Sequence, residues 1–188
     1  GISKLEVENS FINYFDKKTE IYKGMKLIDD ELGGTTPLSV IIKFPQKEIE
    51  EGEDEFDSWD EEEADDAKYW FTRNKINKIT KVHDYLDSLD GVGKVISFAS
   101  IVRVAEDLNG GKELGGLEMG VLYTKIPDSI KKEVINPYIS IKNNEARINL
   151  RVLDSKENLR RNDLIKKINY DLKNKLELNQ NEFRLAGV

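Results

Sequence analysis

The chain has 188 residues, 38% hydrophobic and 35% charged, with 36 acidic against 29 basic side chains and no cysteine. That length suits one compact domain or two small subdomains on a shared core, and the missing cysteine excludes disulfides, thiolate metal sites and cysteine nucleophiles. The charge is unevenly spread: residues 48–66 hold 13 of the acidic residues and no Lys or Arg, so leaving them out turns the balance from −7 to +6, 23 acidic against 29 basic.

In chain order, residues 4–8 read as a first strand. A helix follows from Asp16, a suitable N-cap, with Ile21, Met25, Ile28 and Leu32 at helical spacing. Gly33 is placed for the left-handed C-terminal cap. Pro37 blocks continuation of the helix, and residues 38–44 form an apolar run rich in branched side chains, as in a strand covered on both faces. Strand, helix and strand in this order predict a parallel pair joined by a crossover. The acidic segment repels itself and offers few apolar residues, which predicts a mobile loop or an extended tongue.

A second helix is predicted over 67–89, with Ile76, Ile79, Val82, Leu86 and Leu89 inward, broken by Gly91 and Gly93 before a strand over 92–98. Residues 99–134 read as short helices punctuated by Gly110-Gly111, Gly115-Gly116 and Pro127. A hairpin comes next. Ile139 and Ile141 lead to a turn at Asn143-Asn144, and Ala146, Ile148, Leu150 and Val152 then alternate with Arg147, Asn149 and Arg151. A long helix carries Leu164, Ile165, Ile168, Leu172 and Leu176 inward, and residues 182–186 close the chain as a strand. The expected class is α/β (α+β), with two ferredoxin-like split βαβ subdomains: β-α-β-α-β over 1–98 and helices-β-β-α-β over 99–188. No apolar run approaches the length of a membrane span, and the first residues lack the basic-then-apolar pattern of a signal peptide.

Several segments together resemble one family. Glu6-Val7-Glu8-Asn9, followed by Phe11, Tyr14, Phe15 and a helix closed by Leu32-Gly33-Gly34, is similar to the opening of the extracytoplasmic loop between the first and second membrane spans of RND-superfamily exporters, which include MMPL-type lipid transporters. Tyr85-Leu86-Asp87-Ser88-Leu89-Asp90-Gly91-Val92-Gly93, Pro127-Asp128-Ser129, Ala146-Arg147-Ile148-Asn149 and the terminal Phe183-Arg184-Leu185-Ala186-Gly187 resemble later parts of that loop in the same order. The acidic segment is longer and more charged than the family pattern. The resemblance implies two α/β porter subdomains that rock against each other and guide amphiphilic or lipid-like cargo on the extracytoplasmic side of a cell membrane, with no catalysis of their own. Its implied partners are the protein's own membrane spans, the second porter loop and the cargo, with a homo-oligomer among the allowed assemblies. It also implies that Leu5 and Leu185 lie close together. The alternative is a soluble ferredoxin-like binding or interaction domain.

The chemistry carried by individual residues is sparse. His83, the only histidine, falls beside the apolar face of the second helix with no second ligand or base at a diagnostic spacing, so a core role is expected and no catalytic residue is assigned. Asp54, Asp57 and Asp60 lack the spacing and central glycine of a calcium loop, and no metal or cofactor is expected. A solvated loop is the plain expectation for the acidic segment, and docking on the basic body or on an adjacent subunit is the sharper one. The glycine pairs lack a phosphate-loop lysine and hydroxyl, and Gly91-Val92-Gly93 precedes a strand. Lys156, Arg160, Arg161, Lys166, Lys167, Lys173 and Lys175 are interrupted by acidic and amide residues without stacking aromatics, so nucleic acid is not an expected partner. Phe98, Ile101, Leu117, Met119, Leu122 and Tyr123, with Val104 and Val121, form an apolar group: core packing is one reading, and a partly open cargo-facing patch is the other.

Overall fold

The computed structural model describes residues 35–45, 69–153 and 158–187, with Ser10, Asn13, Tyr14, Lys17 and Ala67 as isolated positions. The expected strand at 4–8, the helix after Asp16, Leu5 and the acidic segment lie outside the described residues.

The described residues build a mixed helix and sheet fold. Strand β1 (Thr35–Lys43) pairs antiparallel with β4 (Glu145–Leu153) along its whole length and with β5 (Phe183–Ala186) over Ser39–Ile42. On the far side of β4 lies β2 (Val92–Ile96), also antiparallel to it, and the two-residue β3 (Ile139–Ser140) pairs with the start of β4. The path is β2-β4-β1-β5. β1 and β2 therefore run parallel with β4 between them, and β4 and β5 run parallel with β1 between them: two βαβ units, each split by a strand of the other. The apolar run at 38–44 is thus flanked on both sides by antiparallel neighbours, and the expected parallel pairing with 4–8 falls outside the described residues. Strands from both sides of residue 98 share the one sheet, so the expected partition there does not divide it. The hairpin strand β4 fills one edge of β1 and the closing strand β5 the other.

Pro37 sits within β1 without breaking it. The Lys43 N–H donates to Glu182 on the β5 side, so the odd-numbered residues of β1 direct their N–H groups there. β5 ends opposite Ser39, and the missing N–H of Pro37 falls beyond it.

The helices follow their caps. Thr72 accepts from the Lys75 N–H and starts α1 (Arg73–Asp87), which buries Ile76, Ile79, Val82, His83 and Leu86. Ser97 caps α2 (Phe98–Leu108) in a reciprocal box with Ser100. This cap is why the strand ends at Ile96 and Phe98 belongs to the helix, two residues earlier than the apolar pattern suggests. After α3 (Gly116–Lys125), a helical turn at Asp128–Ile130 passes into a π-helical turn at Lys131–Ile135, closed by the Asn136 N–H on the Lys131 carbonyl. Gly116 lies so near Phe71 that a Cβ there would stand 2.2 Å from the Phe71 carbonyl oxygen, which fixes α3 against the start of α1. Helix α4 (Asn158–Asn174) buries Ile168 and Leu172, both 0% exposed.

The core lies between one sheet face and these helices. Leu38, Val40 and Ile42 of β1 and Ala146, Ile148, Leu150 and Val152 of β4 meet Ile76, Ile79, Leu86, Ile101, Val102, Ile168 and Leu172. Full burial of each large aliphatic chain contributes about 1.5–3 kcal/mol. No described helix is long and apolar enough to cross a membrane.

Candidate functional site

The six residues of the apolar group do not form one open patch. Phe98, Ile101 and Met119 are buried in the core, Leu122 and Tyr123 are half-buried against it, and Leu117 alone is open, 57% exposed. Phe71 links several of them, its ring centroid 5.3 Å from Phe98 and 5.1 Å from Tyr123. Lys131 lies over the Tyr123 ring, 4.6 Å from its centroid. Burial, then the nearby Asp128, pushes the Tyr123 hydroxyl above its ordinary value.

His83 is 4% exposed and its Nδ1 stands 2.7 Å from Ser97 Oγ, itself fully buried. Oγ also accepts the Ala99 N–H at 3.0 Å, so the one hydroxyl serves both the imidazole and the helix cap. Burial, then the Arg103 guanidinium, holds the His83 pKa below its ordinary 6.5, against Asp84 and Asp87. The pair joins the middle of α1 to the cap of α2. A substrate has no access to a hydroxyl buried in this way.

Asp171 is the buried carboxylate of α4. It accepts the Tyr85 hydroxyl at 2.5 Å and pairs with Lys167 at 3.3 Å and Lys175 at 3.6 Å. The Tyr85 hydrogen bond and the two ammonium groups pull its pKa below 3.8 although burial opposes them. The Tyr85 hydroxyl is pushed up, by burial first and by Asp171 second. This constellation ties α1 to α4.

Two features face solvent and have binding chemistry. One is a cleft of about 260 Å³ between α1 and the segment after α4, lined by Asn77, Lys78, Lys81, Val82, Leu176 and Leu178. Val82 and Leu178 give it an apolar floor, and two lysines stand at its rim, Lys78 held by Glu182 at 2.6 Å. The other is the basic end of the sheet, where β1 stops and β4 and β5 begin. Arg184 donates through both terminal nitrogens to Glu145, at 2.9 and 3.3 Å. That hydrogen bonding, with the charges of Arg184, Lys43 and Arg147, holds the Glu145 pKa below its usual value. Lys75 lies 4.4 Å from the Trp70 ring centroid, and Lys75 and Lys78 both lie within 6 Å of the Phe44 ring centroid, at 5.7 and 5.9 Å.

Asn144, at the tight turn with φ 55°, organises this end. Its amide nitrogen donates to the carbonyls of Phe44 and Pro45, both at 3.1 Å, and its oxygen accepts the Trp70 indole N–H at 2.9 Å. The hairpin reading marked Asn144 as a turn residue, while its side-chain bonds join segments up to 100 residues apart and left no local signal. The cleft was missed for the same reason: Lys78 and Lys81 share a helix face by spacing, but Leu176 and Leu178 come from beyond α4. Among the described residues no group of three or more His, Cys, Asp or Glu side chains is arranged to hold a metal ion.

The described residues define a mixed α+β protein. Compared with known proteins, the chain matches no family model, no curated protein and no solved structure.

Proposed function

We propose that this chain is a porter module of an RND-type exporter, standing on the extracytoplasmic side of a cell membrane and guiding amphiphilic or lipid-like cargo without catalysis of its own. The observation that carries the reading is the interleaved pair of βαβ units, β1-α1-β2 and β4-α4-β5, with strand order β2-β4-β1-β5. An interleaved pair of βαβ units supports a ferredoxin-like reading, the architecture that the resemblance implies for a porter subdomain. The cleft beside α1 adds suitable chemistry, since an apolar floor under an ammonium rim takes an amphiphile with an anionic head. In this reading the partners are the protein's own spans, a second porter loop and the cargo.

Sequencing the coding DNA on both sides of the segment tests it. An apolar run of about 20 residues shortly before Gly1 and another shortly after Val188 support the porter reading. A complete reading frame without them overturns it. The basic end of the sheet favours a second reading, a ferredoxin-like interaction domain, and that same frame without spans is what it predicts.

A further inference from the structure

The inward stripe of helix α4 begins with a charge. Ile168 and Leu172 are fully buried, and Leu164 and Ile165 pack half-buried against the core. Arg161, the fourth residue of α4, stands on the same stripe, three and four positions before Leu164 and Ile165. Its Nε and Nη2 are closed off from solvent and have no hydrogen-bond partner among the described residues. Arg73, Arg103 and Arg184, by contrast, each hold a carboxylate.

Nε–H and the adjacent Nη2–H leave the planar guanidinium side by side. Together they form the fork that takes two oxygens of one carboxylate or phosphate. An arginine cannot lose its proton to escape such a place, and a buried charged donor without an acceptor is strongly unfavourable. An orphaned pair of this kind calls for an anion that meets it.

The position in the helix selects the anion. Side chains lean toward a helix N-terminus, where the first N–H groups lack intrahelical acceptors and carry a dipole end of about +0.5 charge. The first turn of α4 has no acidic residue, and Asp163, two residues beyond Arg161, falls on another face. A carboxylate uses both oxygens on the fork. A phosphate monoester places two there and keeps others for the helix end, and its charge of about −1.5 to −2 meets about +1.5 from guanidinium and dipole together.

We propose that Arg161 and the N-terminus of α4 form a binding site for a phosphate group, borne by a small phosphorylated ligand or by a lipid headgroup. The Arg161 fork holds two phosphate oxygens, and the helix end takes the remaining charge. This site lies at the other end of α4 from the cleft lined by Leu176 and Leu178. The proposal holds whether or not the chain belongs to an exporter, and its failure leaves the porter reading untouched.

The test follows the Arg161 Nε–H resonance by NMR in the intact chain while inorganic phosphate replaces chloride at constant ionic strength. Saturable movement with a Kd of about 1 mM or tighter is expected from two charge-assisted hydrogen bonds. Arg161→Lys keeps the charge and lacks the fork, so its affinity, read by calorimetry, should fall about tenfold or more. The titration uses the native chain and stands even if that variant fails to fold. Vesicles of phosphatidic acid in phosphatidylcholine separate the sources. Arg161-dependent binding to free phosphate alone assigns a small ligand, and such binding to the vesicles assigns a headgroup. No saturable response to either overturns the proposal. So does formate that binds as tightly as phosphate, or an affinity unchanged in Arg161→Lys. An Nε–H already hydrogen-bonded in phosphate-free buffer and released by Asp154→Asn or Glu157→Gln overturns it too, since the chain then supplies the anion itself.

Discussion

The two faces of the sheet are cut from the same strands and are used in opposite ways. On one face Leu38, Val40 and Ile42 of β1 and Ile148 and Leu150 of β4 are at most 2% exposed, sealed by three helices. On the other, the residues between them are Ser39, Ile41, Arg147, Asn149 and, from β5, Arg184, because directly opposed residues share a face. Ser39 donates its hydroxyl to Asn149 Oδ1 at 2.7 Å, and Ile41 lies between Arg147 and Arg184 in the register. Ile41 is only 3% exposed although its register neighbours on this face are two arginines. The lesson is that stability and recognition are separated by the pleat. One face carries the packing, and the other carries charge at little cost to it.

Three substitutions or conditions sharpen or break this contrast. The largest effect belongs to Ile148→Ala, which empties a fully buried position opposite Val40; a loss of about 2–5 kcal/mol in urea unfolding is expected. A loss below about 1 kcal/mol would show that the helical layer does not close on this face.

An intermediate effect comes from pH acting on the helical layer through His83. Its folded pKa lies below the unfolded 6.5, so the unfolded chain takes up the proton first. The contribution is fully present above 6.5 and is lost as pH falls from there through the lowered folded value, at no more than about 1.4 kcal/mol per pH unit. Since His83 is the only histidine, the unfolding midpoint measured from about pH 7.5 to about pH 5.5 should fall in the wild type and stay flatter in His83→Gln. Equal slopes in the two proteins would remove His83 from the account.

The smallest effect is expected for Arg184→Ala on the open face. Its bidentate pair with Glu145 is solvent-screened, with the arginine side chain 54% exposed, so the change should stay within about 0.5 kcal/mol. A loss as large as that of Ile148→Ala would mean that the two faces are equally structural.

Much of the fold was legible along the chain. The alternation over 146–152 placed Ile148 and Leu150 inward, and the helical spacing of Ile76, Ile79, Val82 and Leu86 gave the buried stripe of α1. These signals are local, since a strand repeats every two residues and a helix every 3.6. Element ends were less legible where a cap decides them: Ser97 ends β2 and starts α2 through bonds to Ala99 and Ser100, against the apolar pattern that carried the strand to Phe98.

The candidate sites were scarcely legible. Composition exposed the contrast between an acidic segment and a basic body, and nothing along the chain said where on the body the cations gather. Periodicity can report only which face of an element is apolar. It cannot report which elements become neighbours.

By itself the sequence determined the mixed α+β class, the inward residues of α1 and β4, the absence of thiol chemistry and the segregation of charge, because each depends on residue type and short-range spacing. Tertiary structure alone decided the rest. It placed β4 and β5 on the two edges of β1, drew Phe98 and Met119 into the core and locked His83 onto Ser97. It also set Asn144 between Pro45 and Trp70. Each of these is a pairing across tens of residues, fixed when the chain buries its apolar faces together, and that energy is not written in any one segment.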